Sequence, residues 1–194
     1  MKKLSKIIRI LTIAPIIAAV MLTIIYLTRP EQIGGIINFI MSLLFLTVLL
    51  AISYPLQPIM PYFKHQGREG QRNLAIIAAN IGYIAGIIYA FAAQTPQELL
   101  IIFLTYFLSG LLIVLFNKAL KIRASGHACG IAGPIAILIY FVSPWALLGI
   151  VVLAAAWWAS LAMKRHTSKE LVTGSLLSIA SLFISVLTVR LIEG

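Results

Sequence analysis

Two short basic clusters, each containing a histidine, are the parts of this chain whose residue types could do chemistry. The first has the sequence KALKIRASGH at residues 118–127, and the second has the sequence KRHTSKE at residues 164–170. The stretch between them, residues 128–163, contains no ionisable side chain except Cys129 and Tyr140. Arginine and lysine bind phosphate, and histidine can act as nucleophile, base or acid near neutral pH. The two clusters therefore predict a site that handles a phosphate group.

The first cluster ends where a helix is predicted to begin, at Ser125-Gly126-His127. The free N–H groups and the dipole of a helix N-terminus attract an anion, and a glycine lets the anion come close. The candidate phosphate ligands are this helix start and the neighbouring basic side chains: Lys118, Lys121, Arg123, Ser125, Gly126 and Arg165. Basic residues beside membrane helices are also ordinary topology signals or contacts to lipid headgroups, and for a lysine taken singly this interpretation is favoured.

The second cluster offers a nucleophile. His166 and Glu170 are four residues apart, one helical turn, so the carboxylate can accept a hydrogen bond from one imidazole nitrogen and make the other a better nucleophile or base. His127 would then serve as general acid. Residues 167–170 fit a capping box equally well, with Glu170 returning to the amide of Thr167. Spacing alone leaves both roles of Glu170 open.

No metal and no other cofactor is expected at this site. The chain has five acidic residues, all of them glutamate, and one carboxylate near two histidines is a poor ligand set for a metal ion. The single cysteine, Cys129, excludes an intramolecular disulfide and falls within a predicted membrane helix, where packing is its expected role.

The elements that must position these residues are membrane helices. The chain of 194 residues is 61% hydrophobic with a mean hydropathy of +1.05, and apolar runs recur along its whole length. A hydrocarbon core about 30 Å thick needs roughly 20 helical residues. The sequence therefore predicts an all-α polytopic membrane bundle, a single transmembrane domain over residues 1–194 with about seven helices. The predicted spans cover residues 10–28, 33–54, 74–93, 99–116, 127–143, 145–163 and 169–191.

Both histidine clusters are predicted to lie on the same side of the membrane, because the chain between them crosses, turns at Ser143-Pro144 and crosses back. Thirteen of the 15 Lys and Arg residues fall in predicted inner segments, which leaves Arg29 and Arg190 outside. The positive-inside rule then assigns the N-terminus and both clusters to the cytoplasm. It also explains the net charge of +10 without a nucleic-acid partner. We expect an integral protein of a prokaryotic cell membrane that retains its first helix.

The motifs resemble those of the type 2 phosphatidic acid phosphatase superfamily. That family has a Lys…Arg-Pro motif, a Pro-Ser-Gly-His motif and a Ser-Arg-x5-His-x3-Asp motif. The matching features are RASGH at residues 123–127, a two-helix hairpin, and His166 with Glu170 at the start of the last helix. The resemblance covers roughly residues 97–191 and implies a six-helix core. It also implies a metal-independent membrane phosphatase that acts through a phosphohistidine, with His166 as the nucleophile.

This chain departs from the family pattern at several positions. Ala124 stands where the family has proline, and Glu170 stands where it has aspartate, which keeps the carboxylate and lengthens its reach. The first motif is compressed and lacks its proline. The arginine expected six residues before His166 is Ser160, so that phosphate ligand is missing. Arg165 is the nearest substitute in sequence, although it is adjacent to the nucleophile.

A second substitute is offered by the predicted inner loop between the second and third helices. We hypothesise that Arg68 or Arg72 in this loop supplies the phosphate ligand that Ser160 cannot provide. The alternative is an ordinary solvated loop, whose basic residues only mark the topology.

The function that these observations predict is removal of phosphate from a lipid phosphate or diphosphate, either polyprenyl or phosphatidate-like, presented at the cytoplasmic leaflet. The expected partners are this lipid substrate and the surrounding membrane lipids. A second hypothesis is a non-hydrolytic relative that binds or translocates a phospholipid, favoured by the serine at position 160. A third is a structural membrane subunit, in which changing either histidine alters stability only.

Overall fold

Helices account for nearly all of the part of the chain that the computed structural model describes, residues 2–193. The chain is 83% helical, and the described residues contain no strand. In chain order the helices are α1 (Lys2–Leu11), α2 (Ala14–Thr28), α3 (Pro30–Ile33), α4 (Ile36–Leu56), α5 (Gly67–Ala92), α6 (Gln97–Ala119), α7 (Gly126–Phe141), α8 (Pro144–Ala162) and α9 (Ser168–Glu193). Short π-helical turns lie within α4 and at the end of α6, and α8 begins as a 3-10 helix. The predicted all-α class is confirmed.

Five of these helices are long and apolar enough to cross a membrane, namely α4, α5, α6, α8 and α9. α1 and α2 meet at a bend of 49° and count as a sixth span if the pair is taken as one. α7 has 16 residues, which corresponds to about 24 Å and falls short of the hydrocarbon thickness. The described residues thus support an integral membrane protein with five or six candidate spans, and the predicted count of seven is not confirmed.

The first predicted helix is divided in two at Thr12 and Ile13. Pro15 lies in the first turn of α2, where its ring would clash with the carbonyl of Leu11 if the helix ran through. A continuous helix over residues 10–28 is therefore replaced by a bent pair. Because of this bend, α1 does not continue along the axis of α2.

α1 turns a polar face toward the bundle and an apolar face outward. Ser5 and Thr12 are buried, whereas the side chains of Leu4, Ile7 and Leu11 are more than half exposed. α1 packs against α8. A membrane environment favours this arrangement, because polar groups among membrane helices face the bundle interior.

α9 is the central helix and packs along both α6 and α7, while α5 packs on α4 and α6. Two glycines of α5 allow the close approach to its neighbours. A Cβ added at Gly82 would meet the backbone carbonyl of Phe45 in α4, and one added at Gly86 would meet the ring of Phe103 in α6. Small residues at such crossings let membrane helices pack through van der Waals contact.

α7 and α8 form the predicted hairpin, which turns at Ser143. The Ser143 hydroxyl accepts a hydrogen bond from the amide of Trp145 (3.3 Å), and Pro144 opens the next helix. The N-terminus of α7 and the C-terminus of α8 consequently lie at the same end of the bundle. His127 and His166 belong to this end.

Candidate functional site

The N-termini of α7 and α9 are fastened together at Ser125. Its backbone amide donates a hydrogen bond to the carbonyl of Glu170 (2.9 Å), and its hydroxyl accepts one from the amide of Ala128 (3.3 Å), which caps α7. A Cβ at Gly174 would collide with the backbone of Ser125, so α9 needs glycine there to come this close. The Ser-Gly-His start of α7 therefore lies directly beside the first turns of α9.

The side chain of Asn117 holds the segment between α6 and α7. Its Oδ1 accepts a hydrogen bond from the amide of Ala124 (3.0 Å), and its Nδ2 donates one to the Ala124 carbonyl (3.1 Å). Ala124 is buried, so these two bonds satisfy backbone groups that need partners. Arg123 is thereby positioned next to α9. No sequence motif predicted the role of Asn117, because this role depends on the chain folding back over seven residues.

The carboxylate of Glu170 binds both a histidine and an arginine. Its Oε2 accepts from Nδ1 of His166 (2.7 Å), and its Oε1 pairs with Nε of Arg123 (3.4 Å). The Glu170 side chain is 9% exposed, against 72% for Arg123. The Thr167 hydroxyl accepts from the Glu170 amide (3.3 Å) and caps α9. The two alternatives for Glu170 are thus resolved, since Thr167 supplies the cap and the Glu170 carboxylate serves the histidine.

The His166–Glu170 contact determines which imidazole nitrogen can react. An ionised carboxylate only accepts hydrogen bonds, so Nδ1 of His166 is assigned the hydrogen. The lone pair then resides on Nε2, which is the atom able to attack phosphorus. The neighbouring carboxylate also stabilises the positive charge that the ring acquires as it reacts. His166 and Glu170 thus have the geometry of a nucleophile and its orienting group.

His127 lies in the first turn of α7 and contacts α1. Thr12 Oγ1 donates to the carbonyl of Ile8 (2.7 Å) and lies 3.2 Å from Nε2 of His127. Because the threonine hydrogen is used on Ile8, its oxygen accepts from His127, and Nε2 therefore carries a hydrogen. Burial, together with the nearby Arg9 and His166, lowers the pKa of His127 to about 4. The structure thus brings the two predicted histidines into one site.

Arg9 contacts Ser160, the serine that stands where the resemblance implies an arginine. Its Nη1 donates a hydrogen bond to Ser160 Oγ (2.7 Å), and Ser160 is fully buried near the end of α8. The positive-inside rule accounts for Arg9 only as a topology charge, and no motif marked Thr12. The available signal was the spacing of Ser5, Arg9 and Thr12, which places three polar residues on one face of α1.

A cleft of about 280 Å³ opens beside His166. Its ionisable wall residues are Arg123, Lys164, Arg165, His166 and Glu170. A second cleft of about 580 Å³ shares Arg123 and Glu170 and has Ile122 and Val172 among its walls. Basic side chains and apolar wall residues are therefore adjacent at this end of the bundle.

The other predicted ligands lie at the edge of this arrangement. Lys118 and Lys121 are exposed at and after the end of α6, and the backbone of Lys121 is left-handed with φ 55°. Gly126 is exposed, and an added Cβ there would meet nothing within 4 Å. The start of α7 is thus open to an approaching anion.

The hypothesis that Arg68 or Arg72 supplies a phosphate ligand gains no support from the described residues. The predicted loop is also partly wrong, since residues 67–73 belong to α5. Arg72 is exposed on α5, which packs on α4 and α6, and the side chain of Arg68 lies outside the described part of the chain. The arginine that contacts Ser160 is Arg9, from α1. The N-terminal helix α1 therefore provides the arginine that contacts Ser160.

The described residues include no group of three or more His, Cys, Asp or Glu side chains arranged to hold a metal ion. No family model matches this chain, and neither a curated protein nor a solved structure matches it. Function is therefore inferred from the site itself.

Proposed function

We propose that this protein is a membrane-embedded, metal-independent phosphatase that removes phosphate from a lipid phosphate or diphosphate through a phosphohistidine. The observation that carries the proposal is the 2.7 Å bond between His166 Nδ1 and Glu170 Oε2, at the same bundle end as His127. It supplies an oriented nucleophile with a second histidine nearby, which is the minimum that histidine-based phosphoryl transfer requires.

In the first step, Nε2 of His166 attacks phosphorus. An N–P bond forms, and the bond from phosphorus to the lipid oxygen breaks. The negative charge of the bound substrate phosphate favours the protonated form of His127. With its Nε2–H held by Thr12, His127 gives its Nδ1 proton to the leaving oxygen, which departs as a lipid alcohol, or as a lipid monophosphate if the substrate is a diphosphate. Arg123 and Arg165, with the amides of Ser125 and Gly126, stabilise the charge on the transferring group.

In the second step, water attacks the phosphohistidine. His127 now takes a proton from this water, the N–P bond breaks, and inorganic phosphate leaves with His166 restored. Glu170 stays ionised throughout and holds the ring of His166 in place. The net reaction of the two steps is hydrolysis, and it consumes no cofactor.

The position of the site favours a lipid substrate. Ile122 and Val172 are exposed apolar residues next to the phosphate-binding groups, so a substrate with its phosphate in the cleft can keep its tail in the bilayer. The helices α4–α9 would form the six-helix core. The distribution of basic residues supports a site at the cytoplasmic face, and we propose a prokaryotic cell membrane as its location.

The test is phosphate release in detergent, with a chelator present, from a panel of polyprenyl and glycerol lipid phosphates. Wild type runs beside His166→Ala and His127→Ala, with His65→Ala, an exposed histidine between α4 and α5, as the matched control. We expect release by wild type and His65→Ala only, and an acid-labile protein-bound phosphate that His166→Ala lacks. Release that survives His166→Ala would exclude the nucleophile assignment.

The alternative function is lipid binding or translocation without hydrolysis. It is favoured by Ser160, because the resemblance implies a phosphate-binding arginine at this position. A folded wild-type protein that binds these lipids and releases no phosphate across the panel would support it.

A further inference from the structure

We infer that Arg9 is a substrate-binding residue that contacts the phosphate, so the N-terminal helix α1 supplies the cation that α8 lacks at Ser160. This assignment rests on the proposed function and makes it more specific. It predicts that the site is complete only when α1 is docked against α8.

The first argument is the position of the guanidinium. Nη1 of Arg9 lies 2.7 Å from Oγ of Ser160, which is fully buried in α8 six residues before His166 in the sequence. The carbonyl of Ser160 accepts a hydrogen bond from the amide of Arg165 (3.0 Å), the residue before His166. The hydroxyl of Ser160 therefore fixes one corner of the guanidinium close to the segment that carries His166. A guanidinium in a fixed orientation can bind a phosphate through two parallel N–H groups.

The second argument is the contact of the same helix with His127. Thr12 lies three residues after Arg9, on the same face of α1, and its hydroxyl accepts from His127 Nε2. The charge of Arg9 acts on His127 as well. Arg9 thus lies near the histidine that must serve the leaving oxygen, and a phosphate between the two histidines would be within its reach.

The third argument is the unusual placement of a cation on α1. The outward face of α1 is apolar, with Leu4, Ile7 and Leu11 exposed, yet Arg9 lies on the inward face beside buried Ser5. Arg9 is half-buried there. An ionisable side chain that a membrane helix turns toward the bundle interior is by default a candidate for a functional role.

The rival explanation is that Arg9 only anchors α1 or marks the topology. The helix offers a matched control for this, because Lys6 is an exposed cation of α1 within one turn of Arg9. If the role is topology or surface charge alone, Lys6→Ala and Arg9→Ala behave alike. If Arg9 binds phosphate, only Arg9→Ala impairs the site.

The experiment measures kcat and KM for lipid phosphate hydrolysis in wild type, Arg9→Ala, Arg9→Lys, Lys6→Ala and Arg9→Ala/Ser160→Arg. We expect Arg9→Ala to lower kcat/KM by about 100-fold or more, as for loss of one group that stabilises the transition state. Arg9→Lys should retain part of the activity. Adding Ser160→Arg to Arg9→Ala should restore much of it, since it returns a guanidinium to the same place from α8. Equal kcat/KM in Arg9→Ala and Lys6→Ala would overturn the inference while leaving the phosphatase intact.

A binding measurement separates this inference from the proposed function. Calorimetric titration with a short-chain phosphatidate is run on wild type, Arg9→Ala and Lys6→Ala, and Arg9→Gln replaces Arg9→Ala if that variant does not fold. Binding that is weakened only by loss of Arg9 supports the phosphate contact even if wild type releases no phosphate. Unchanged affinity in the Arg9 variant, or no binding by wild type, overturns it.

Discussion

The amide of Ser125 donates a 2.9 Å hydrogen bond to the carbonyl of Glu170, and this bond joins the two histidine-containing segments. Ser125 begins the turn that carries His127, and Glu170 lies one turn after His166. The distance between the two histidines therefore depends on how closely α7 and α9 approach each other at this point.

Replacing Gly174 with alanine should disturb this approach. The added Cβ would collide with the backbone of Ser125, which cannot move aside as a flexible side chain could. We expect a loss of stability of about 1–3 kcal/mol, typical of overpacking, together with reduced turnover. Thermal unfolding in detergent and phosphate release measure the two effects.

The control for Gly174→Ala is Gly110→Ala in α6, where the nearest atoms to an added Cβ are 3.4 Å away or more. This variant should unfold close to the wild-type temperature. Equal melting temperatures for the two alanine variants would contradict the argument from the Ser125 contact.

Replacing Asn117 with alanine should loosen the segment that carries Arg123. The change removes one hydrogen bond to Ile113 within α6 and two to Ala124, whose buried amide and carbonyl lose their side-chain partner. We expect a loss of about 1–3 kcal/mol and a raised KM, because Arg123 lines the substrate cleft. Asn80→Ala is the control, since its side chain donates only to Ile76 within its own helix. A KM that is the same in both variants would show that Asn117 does not position Arg123.

The spacing of residues in the sequence predicted the contacts of this site that join residues close together in the chain. His166 and Glu170 meet across the start of α9, because His166 lies just before the N-cap residue Thr167 and Glu170 lies in the first turn. The hairpin between the clusters follows from Ser143-Pro144. The choice of Glu170 between its two possible partners was not predictable from spacing. It depends on Arg123, which reaches the carboxylate through the folded-back segment held by Asn117.

The contribution of α1 could not be predicted in the same way. Arg9 and Ser160 are 151 residues apart, and their contact depends on the bend between α1 and α2. The uninterrupted apolar run up to residue 28 hid this bend, although Pro15 is the residue that breaks the helix. The length of α7 was likewise expected to suffice for a crossing, whereas the helix ends at Phe141.

Replacing Glu170 with glutamine should reduce turnover more than binding. Glutamine retains an oxygen that can accept from His166 but removes the charge that stabilises the reacting imidazole and pairs with Arg123. We expect kcat to fall by about 100-fold or more with a much smaller change in KM.

Two comparisons make the Glu170 prediction specific. Glu170→Asp keeps the charge and should retain more activity than the glutamine variant, since only the reach of the carboxylate changes. Glu98→Gln, at the start of α6, is the control for a glutamate in the first turn of another helix. A glutamine variant with a raised KM and an unchanged kcat would show that Glu170 holds Arg123 and does not orient His166.

Replacing Thr12 with valine should impair His127 without removing bulk from α1. The side chains are nearly isosteric, but valine lacks the oxygen that accepts from His127 Nε2. We expect kcat to fall about tenfold, the equivalent of one hydrogen bond of about 1.4 kcal/mol, with KM unchanged. Thr12→Ser should behave like wild type. Thr23→Val is the matched control, because Thr23 makes the same bond to the carbonyl four residues earlier, on an exposed face of α2. A kcat in Thr12→Val equal to that of Thr23→Val would show that α1 does not orient His127.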